Sequence, residues 1–249
     1  NFRNAEFSAG SAAYKRVTAD VNQSLAPLGL EKSALRLNML WHDADVPGRD
    51  VVHNSRWGLA PSFAFGLGSG TELTVSWLHL DQYNIPDYGI PWVPDTNSNP
   101  ALRPFRQKAP PVSFRNYYGL AHRDFERTIT DVPTVIFKKD LGGETTLRDL
   151  LRYGRNYRRS VVSAPRFASN TVTDVTRELK ARDQVDAALS NQLDLSWRFK
   201  TGAIEHSPLA GLELAHERSD NTPIIGPNGP ATNLWTPNAA DRHVFTTIQ

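Results

Sequence analysis

The sequence predicts an all-β chain that forms about ten strands of a transmembrane antiparallel barrel. Two observations carry that expectation. The first is the run from Gln184 to Lys200. Its odd positions are Val185, Ala187, Leu189, Asn191, Leu193, Leu195, Trp197 and Phe199, and its even positions are mostly polar. A period of two held this long outlasts the ordinary strand of about 5–6 residues. It suits a barrel wall with one face in lipid and the other in water. Val185, Leu189, Leu193 and Trp197 also fit a helical stripe, but a helix would turn Leu195 away from it, whereas a strand keeps Leu195 and Phe199 on the apolar face. The second observation is that short turns alternate with long excursions down the chain, the loop asymmetry of outer-membrane barrels.

Composition narrows the alternatives. Only 39% of the 249 residues are hydrophobic, and no window approaches the roughly 18 apolar residues of a membrane helix. Any crossing must therefore be made by strands. There are no cysteines, which excludes disulfides and thiolate metal sites. A net charge of +2 gives no case for nucleic acid. The cations are mostly arginine, whose planar fork suits carboxylate, phosphate or catecholate oxygens; a GC-rich genome yields the same bias.

The elements follow in order. Phe2 to Ala9 is a short strand ending at Gly10-Ser11. Tyr14 to Leu25 follows and turns at Ala26-Pro27-Leu28-Gly29. Ala34 to Ala44 alternates, with Leu35, Leu37, Met39 and Trp41 opposite Arg36, Asn38 and His42. After 45–50, Arg56 to Leu67 sets Trp57, Leu59, Phe63 and Phe65 on one face, and Gly68-Ser69-Gly70 marks a hairpin. Glu72 to Tyr83 returns. Thr128 to Lys139 and Thr145 to Arg155 flank Asp140-Leu141-Gly142-Gly143. The Gln184 strand pairs across Lys200-Thr201-Gly202 with one ending near Arg218, and His243 to Gln249 reads as the start of another. Residues 1–249 thus form one barrel segment, with long extracellular loops expected near 84–116, 156–182 and 219–239. Loops of this length are uncommon without a function. Trp41, Trp57, Trp77, Tyr83, Tyr153 and Trp197 fall on apolar faces or near strand ends, as an interfacial belt requires. The chain begins at Asn1 without Met and stops within an apparent strand, so it reads as cut at both ends.

Five segments in register carry a family resemblance. They are Arg16-Val17-Thr18-Ala19-Asp20-Val21-Asn22 with Leu35-Arg36-Leu37-Asn38; Val46-Pro47-Gly48-Arg49-Asp50 leading to Arg56-Trp57-Gly58-Leu59-Ala60-Pro61-Ser62; Pro86-Asp87-Tyr88-Gly89-Ile90-Pro91; Tyr117-Tyr118-Gly119-Leu120 with Arg123-Asp124-Phe125-Glu126; and Thr146-Leu147-Arg148 through Arg152-Tyr153-Gly154-Arg155-Asn156 to Ala164-Pro165-Arg166-Phe167. Together they resemble the first half of the barrel of TonB-dependent siderophore receptors, nearest the catecholate-type branch. The resemblance implies a bacterial outer-membrane barrel of about 22 strands around a plug. It also implies uptake of a ferric siderophore as transported substrate, with TonB engaged through a region outside this chain. A passive porin is the alternative that strands alone leave open; an outer-membrane lipase and a soluble β-rich binding domain are further rivals.

The dispersed histidines, His42, His53, His79, His122, His206, His216 and His243, form no metal or catalytic motif. No catalytic residue, protein-held cofactor or metal ligand is expected, since iron would arrive already chelated. A ferric catecholate is a bulky aromatic anion and calls for cations interleaved with aromatic faces. Tyr88, Trp92, Arg103, Phe105 and Arg106 occupy the first long loop. Arg115, Tyr117, Tyr118 and Arg123 follow near its return to the wall, and Arg152, Arg155, Arg158 and Arg159 crowd a later strand. These groups are expected to converge on an electropositive aromatic mouth. Arginines that only solvate loops or meet anionic lipopolysaccharide would look the same in sequence.

Overall fold

A computed structural model describes residues 1–243, so the expected final strand lies, from 244 onward, outside the described residues. Twelve strands follow one another in those residues: β1 (Phe2–Ala9), β2 (Lys15–Ser24), β3 (Ala34–Asp45), β4 (His53–Phe65), β5 (Thr71–Ile85), β6 (Phe125–Gly142), β7 (Thr145–Phe167), β8 (Val175–Ser196), β9 (Phe199–Thr201), β10 (Ile204–His206), β11 (Leu209–Thr222) and β12 (Gly229–Thr232). Ten of them form one antiparallel sheet in the order β1-β2-β3-β4-β5-β6-β7-β8-β11, with β12 also on β8; β9 and β10 make a separate two-stranded ladder. Every neighbour in the main run is also the next strand in sequence, apart from the small β9–β10 insertion. That is the up-and-down meander of a barrel wall.

Register gives the wall its chemistry. Residues directly opposite in an antiparallel pair share a face. From β1 to β8 odd numbers meet odd numbers, apart from the shifted pair Gly142↔Thr145 at the β6–β7 turn: Val17↔Trp41, Trp41↔Trp57, Phe63↔Val75, Val75↔Val135, Val135↔Leu151 and Tyr153↔Leu189. The odd face therefore carries a mostly apolar band, interrupted by Asp131, Asp149 and Asn191 and giving way to charge at Arg127, Arg155 and Arg159. Trp41, Trp57, Trp77, Leu151, Tyr153, Leu189 and Leu193 are all 40–47% exposed on it. The even face carries the row Arg36, Ser62, Ser76, Thr134, Arg152 and Ser190. Among the described residues no second sheet covers the odd face, so these large side chains are not the core of a soluble sandwich. They meet hydrocarbon, as a barrel wall requires.

Connections segregate by end. At one end lie the turns 25–33, 66–70 and 143–144 and the insertion 197–208, where β9 and β10 extend the expected hairpin into a small ladder. At the other lie 46–52, the long connection 86–124, 168–174 and the segment after β11.

One expectation is corrected here. The stretch 156–182 is not an irregular excursion: β7 and β8 pair without a break from Thr146↔Ser196 to Phe167↔Val175, leaving only 168–174 as loop. Likewise β11 continues to Thr222, and β12 interrupts the third excursion. A 23-residue strand reaches about 75 Å, well over twice a bilayer's hydrocarbon, so the β7–β8 hairpin projects far beyond the wall. Alternation vanishes there because both faces are covered. Val161 and Val162, on opposite faces, are each under 5% exposed.

Candidate functional site

The projecting hairpin organises the long-loop end. On its odd face the 86–124 connection and the 229–243 segment fold into a cap. Val93, Leu102, Tyr118, Val175 and Leu234 form a fully buried core, with Ile90, Phe105, Val112 and Phe167 packed around it. Polar clamps complete the cap. Arg177, with no exposed surface, donates to the carbonyls of Tyr118 (2.9 Å), Pro230 (3.0 Å) and Asn238 (2.6 Å) and to the Asp241 carboxylate (2.7 Å). The Asp124 carboxylate accepts from Arg123 (2.9 Å) and from the backbone amides of Leu120 and Ser163. Gly119 is required beside it, because a Cβ there would strike the Tyr117 hydroxyl and lie 2.6 Å from Asp124.

These contacts correct part of the expected binding set. Arg123, Tyr117 and Tyr118 are buried. Arg123 also donates to Ser163 (2.7 Å), and the Tyr118 hydroxyl donates to the Leu234 carbonyl (2.6 Å). Burial raises the phenol pKa of both tyrosines, reinforced at Tyr117 by the charge of Asp124. The three hold the cap together and do not face a solute. Arg106 is half-buried on the Asn97 carbonyl (2.6 Å). Arg115 is exposed but engages Asp50 (2.7 Å), which ties the cap to the β3–β4 loop. Arg103 and Trp92 are exposed on the cap surface.

The structure does bring two expected groups together on the hairpin's even face. Tyr88 from the long connection and Arg158 from β7 line one cleft of about 470 Å³. Arg166, Lys180, Arg182 and Ile224 line it as well. Pairing explains the gathering: Ser160 opposes Arg182 and Val162 opposes Lys180, so cations from both strands share that face. Arg158 is held by Glu126, and Lys180 (2.6 Å) and Arg166 (3.8 Å) share Glu178. Arg182 makes no ion pair with the described residues. Four cations against two carboxylates leave the cleft electropositive, with the half-exposed Tyr88 at its wall. Sequence reasoning missed Arg166, Lys180 and Arg182 because it took 156–182 for a loop; counting by twos from Arg158 would have reached Arg166. Arg155 and Arg159, grouped with Arg158 in the sequence reading, carry odd numbers and point to the opposite face.

No protein-family model matches the sequence. The catecholate siderophore receptor Fiu of Escherichia coli K12 is 32% identical over 247 residues, 95% of this chain and 32% of that protein. A probable TonB-dependent receptor of Bordetella pertussis, BfrD, is 34% identical over 88% of the chain and 28% of its own length. The crystal structure of the ferric-catecholate import receptor Fiu in its open form superposes with a TM-score of 0.84 at 31% identity, covering 98% of this chain and 38% of that one. The chain is a stretch of a TonB-dependent receptor barrel. It spans about a third of the length of the curated relatives it matches. The matched proteins are receptors rather than enzymes, and a TonB-dependent receptor wall is a β-barrel of the bacterial outer membrane.

Proposed function

We propose that the whole protein imports ferric siderophores of catecholate type across the outer membrane, energised through TonB, and that this chain supplies wall and capture surface. The observation that carries the reading is the cleft at the long-loop end, an excess of cations beside Tyr88, in a chain related along nearly its whole length to a receptor named for catecholate siderophores. The long-loop end is then extracellular. Tyr88 offers a ring face to the catechols, while Arg158, Arg166, Lys180 and Arg182 donate to their oxygens. Arg103, Arg115 and Trp92 on the cap surface meet the ligand earlier, because none of them lines the cleft. Iron enters as part of the chelate and takes no ligand from these residues. Coupling to TonB belongs to other segments of the protein.

The test is titration of the intact receptor with a ferric catecholate, followed by tryptophan fluorescence. Tyr88→Ala and Arg182→Gln should each weaken binding about tenfold, the worth of one charge-assisted or stacking contact. Wild-type affinity in both variants would remove the cleft from the ligand path.

A further inference from the structure

Arg155 and Arg159 are left without a role by the cleft. They project from β7 on the odd face, the side that carries Leu151, Tyr153, Leu189 and Leu193. Arg159 lies directly opposite Arg127 in register, on the same face. Like charges so placed repel, and the neighbouring carboxylates do not answer the repulsion evenly. Asp81 accepts two hydrogen bonds from Arg127 (3.2 and 2.7 Å), whereas Asp183 comes only within 3.9 Å of Arg159.

Arg155 stands between Asp131 on β6 and Ala187 on β8. Asp131 is already taken by His79 (2.8 Å) and the Trp77 indole (3.1 Å). Arg155 has no carboxylate partner among the described residues; its guanidinium lies 5.9 Å from the centre of the Tyr157 ring. Two under-neutralised arginines, roughly 13 Å apart along the strand, thus flank an aromatic ring where the apolar face gives way to charge.

We propose that Arg155 and Arg159 form a binding site for the phosphate-bearing headgroup of an outer-leaflet lipid, with its acyl chains lying on Leu151, Tyr153, Leu189 and Leu193. Arginine donates to phosphate through its planar fork, and the Tyr157 ring suits the level where headgroup meets hydrocarbon. Continuity with the apolar rows favours a lipid over a free ion, because only a lipid gains from both. The site rests on the odd face meeting hydrocarbon and is independent of which ligand the cleft imports.

The experiment titrates the intact receptor, in neutral detergent, with diphosphoryl lipid A and counts adducts by native mass spectrometry. The double variant Arg155→Gln/Arg159→Gln should bind lipid A about tenfold or more weakly, as expected for loss of two cations at an anionic surface. Arg155→Lys/Arg159→Lys should keep most of the affinity, and ferric-catecholate binding should be unchanged in both. Wild-type lipid affinity in the Gln variant overturns the site. So does displacement of lipid A by an equal concentration of inorganic phosphate, which would mark a free-ion site. If the Gln variant does not fold, the wild-type receptor decides: it should prefer phosphorylated over dephosphorylated lipid A, and equal binding of the two overturns the proposal.

Discussion

Arg177 shows how a single residue sets the behaviour of the long-loop end. A guanidinium with no exposed surface serves three carbonyls and one carboxylate. Removing one partner of such a buried group costs about 3–5 kcal/mol. Arg177→Met should therefore speed protease cleavage within 86–124 while leaving the barrel's heat-resistant migration intact; unchanged cleavage would show that the apolar core alone secures the cap. Tyr117 and Tyr118 offer a pH test. Their phenols ionise near 10 in the unfolded chain and higher in the fold, because burial disfavours the charge. Their contribution to stability is complete below about 10 and is lost as the pH rises through the folded values. Of the seven tyrosines, these two should resist phenolate formation until the cap opens, which spectrophotometric titration will read. None of this was legible in the sequence. Tyr117, Tyr118 and Arg123 have the composition of a ligand surface, and only the packing of Leu234 and Ser163 against them reveals a clamp.

At the scale of the strand, parity is the property to test. Leu193 on β8 faces hydrocarbon and Gln192 faces the opposite side. Leu193→Arg should cost about 2–4 kcal/mol near the bilayer midplane, whereas Gln192→Arg should cost under about 1 kcal/mol. Equal costs in a denaturant titration would contradict the two-faced wall. The strands of the wall were readable in sequence because lipid imposes an alternation on them: Leu35 to Trp41 and Leu189 to Leu195 show it plainly. The upper halves of β7 and β8 were not readable, because Val161 and Val162 are both covered and nothing there selects one parity. Arg158 and Arg159 show the consequence for the site. They are neighbours in the chain, yet one joins the cleft and the other the lipid side, and only a strand assignment separates them.

For the molecule as a whole, the absence of cysteine makes the arrangement open to scanning. Single cysteines at Val75, Leu151 and Leu193 should react with lipophilic maleimides in membranes and resist water-soluble ones. Cysteines at Glu178 and Arg182 should show the reverse, and labelling that ignores parity would contradict the barrel. The connection 86–124 and the segment 229–241 stand far apart in sequence and hang from different strands. Because the Arg177 side chain grips both, neither can swing outward without straining the other. One strand residue thus fastens two remote pieces of chain at once, and loss of its guanidinium should loosen both together.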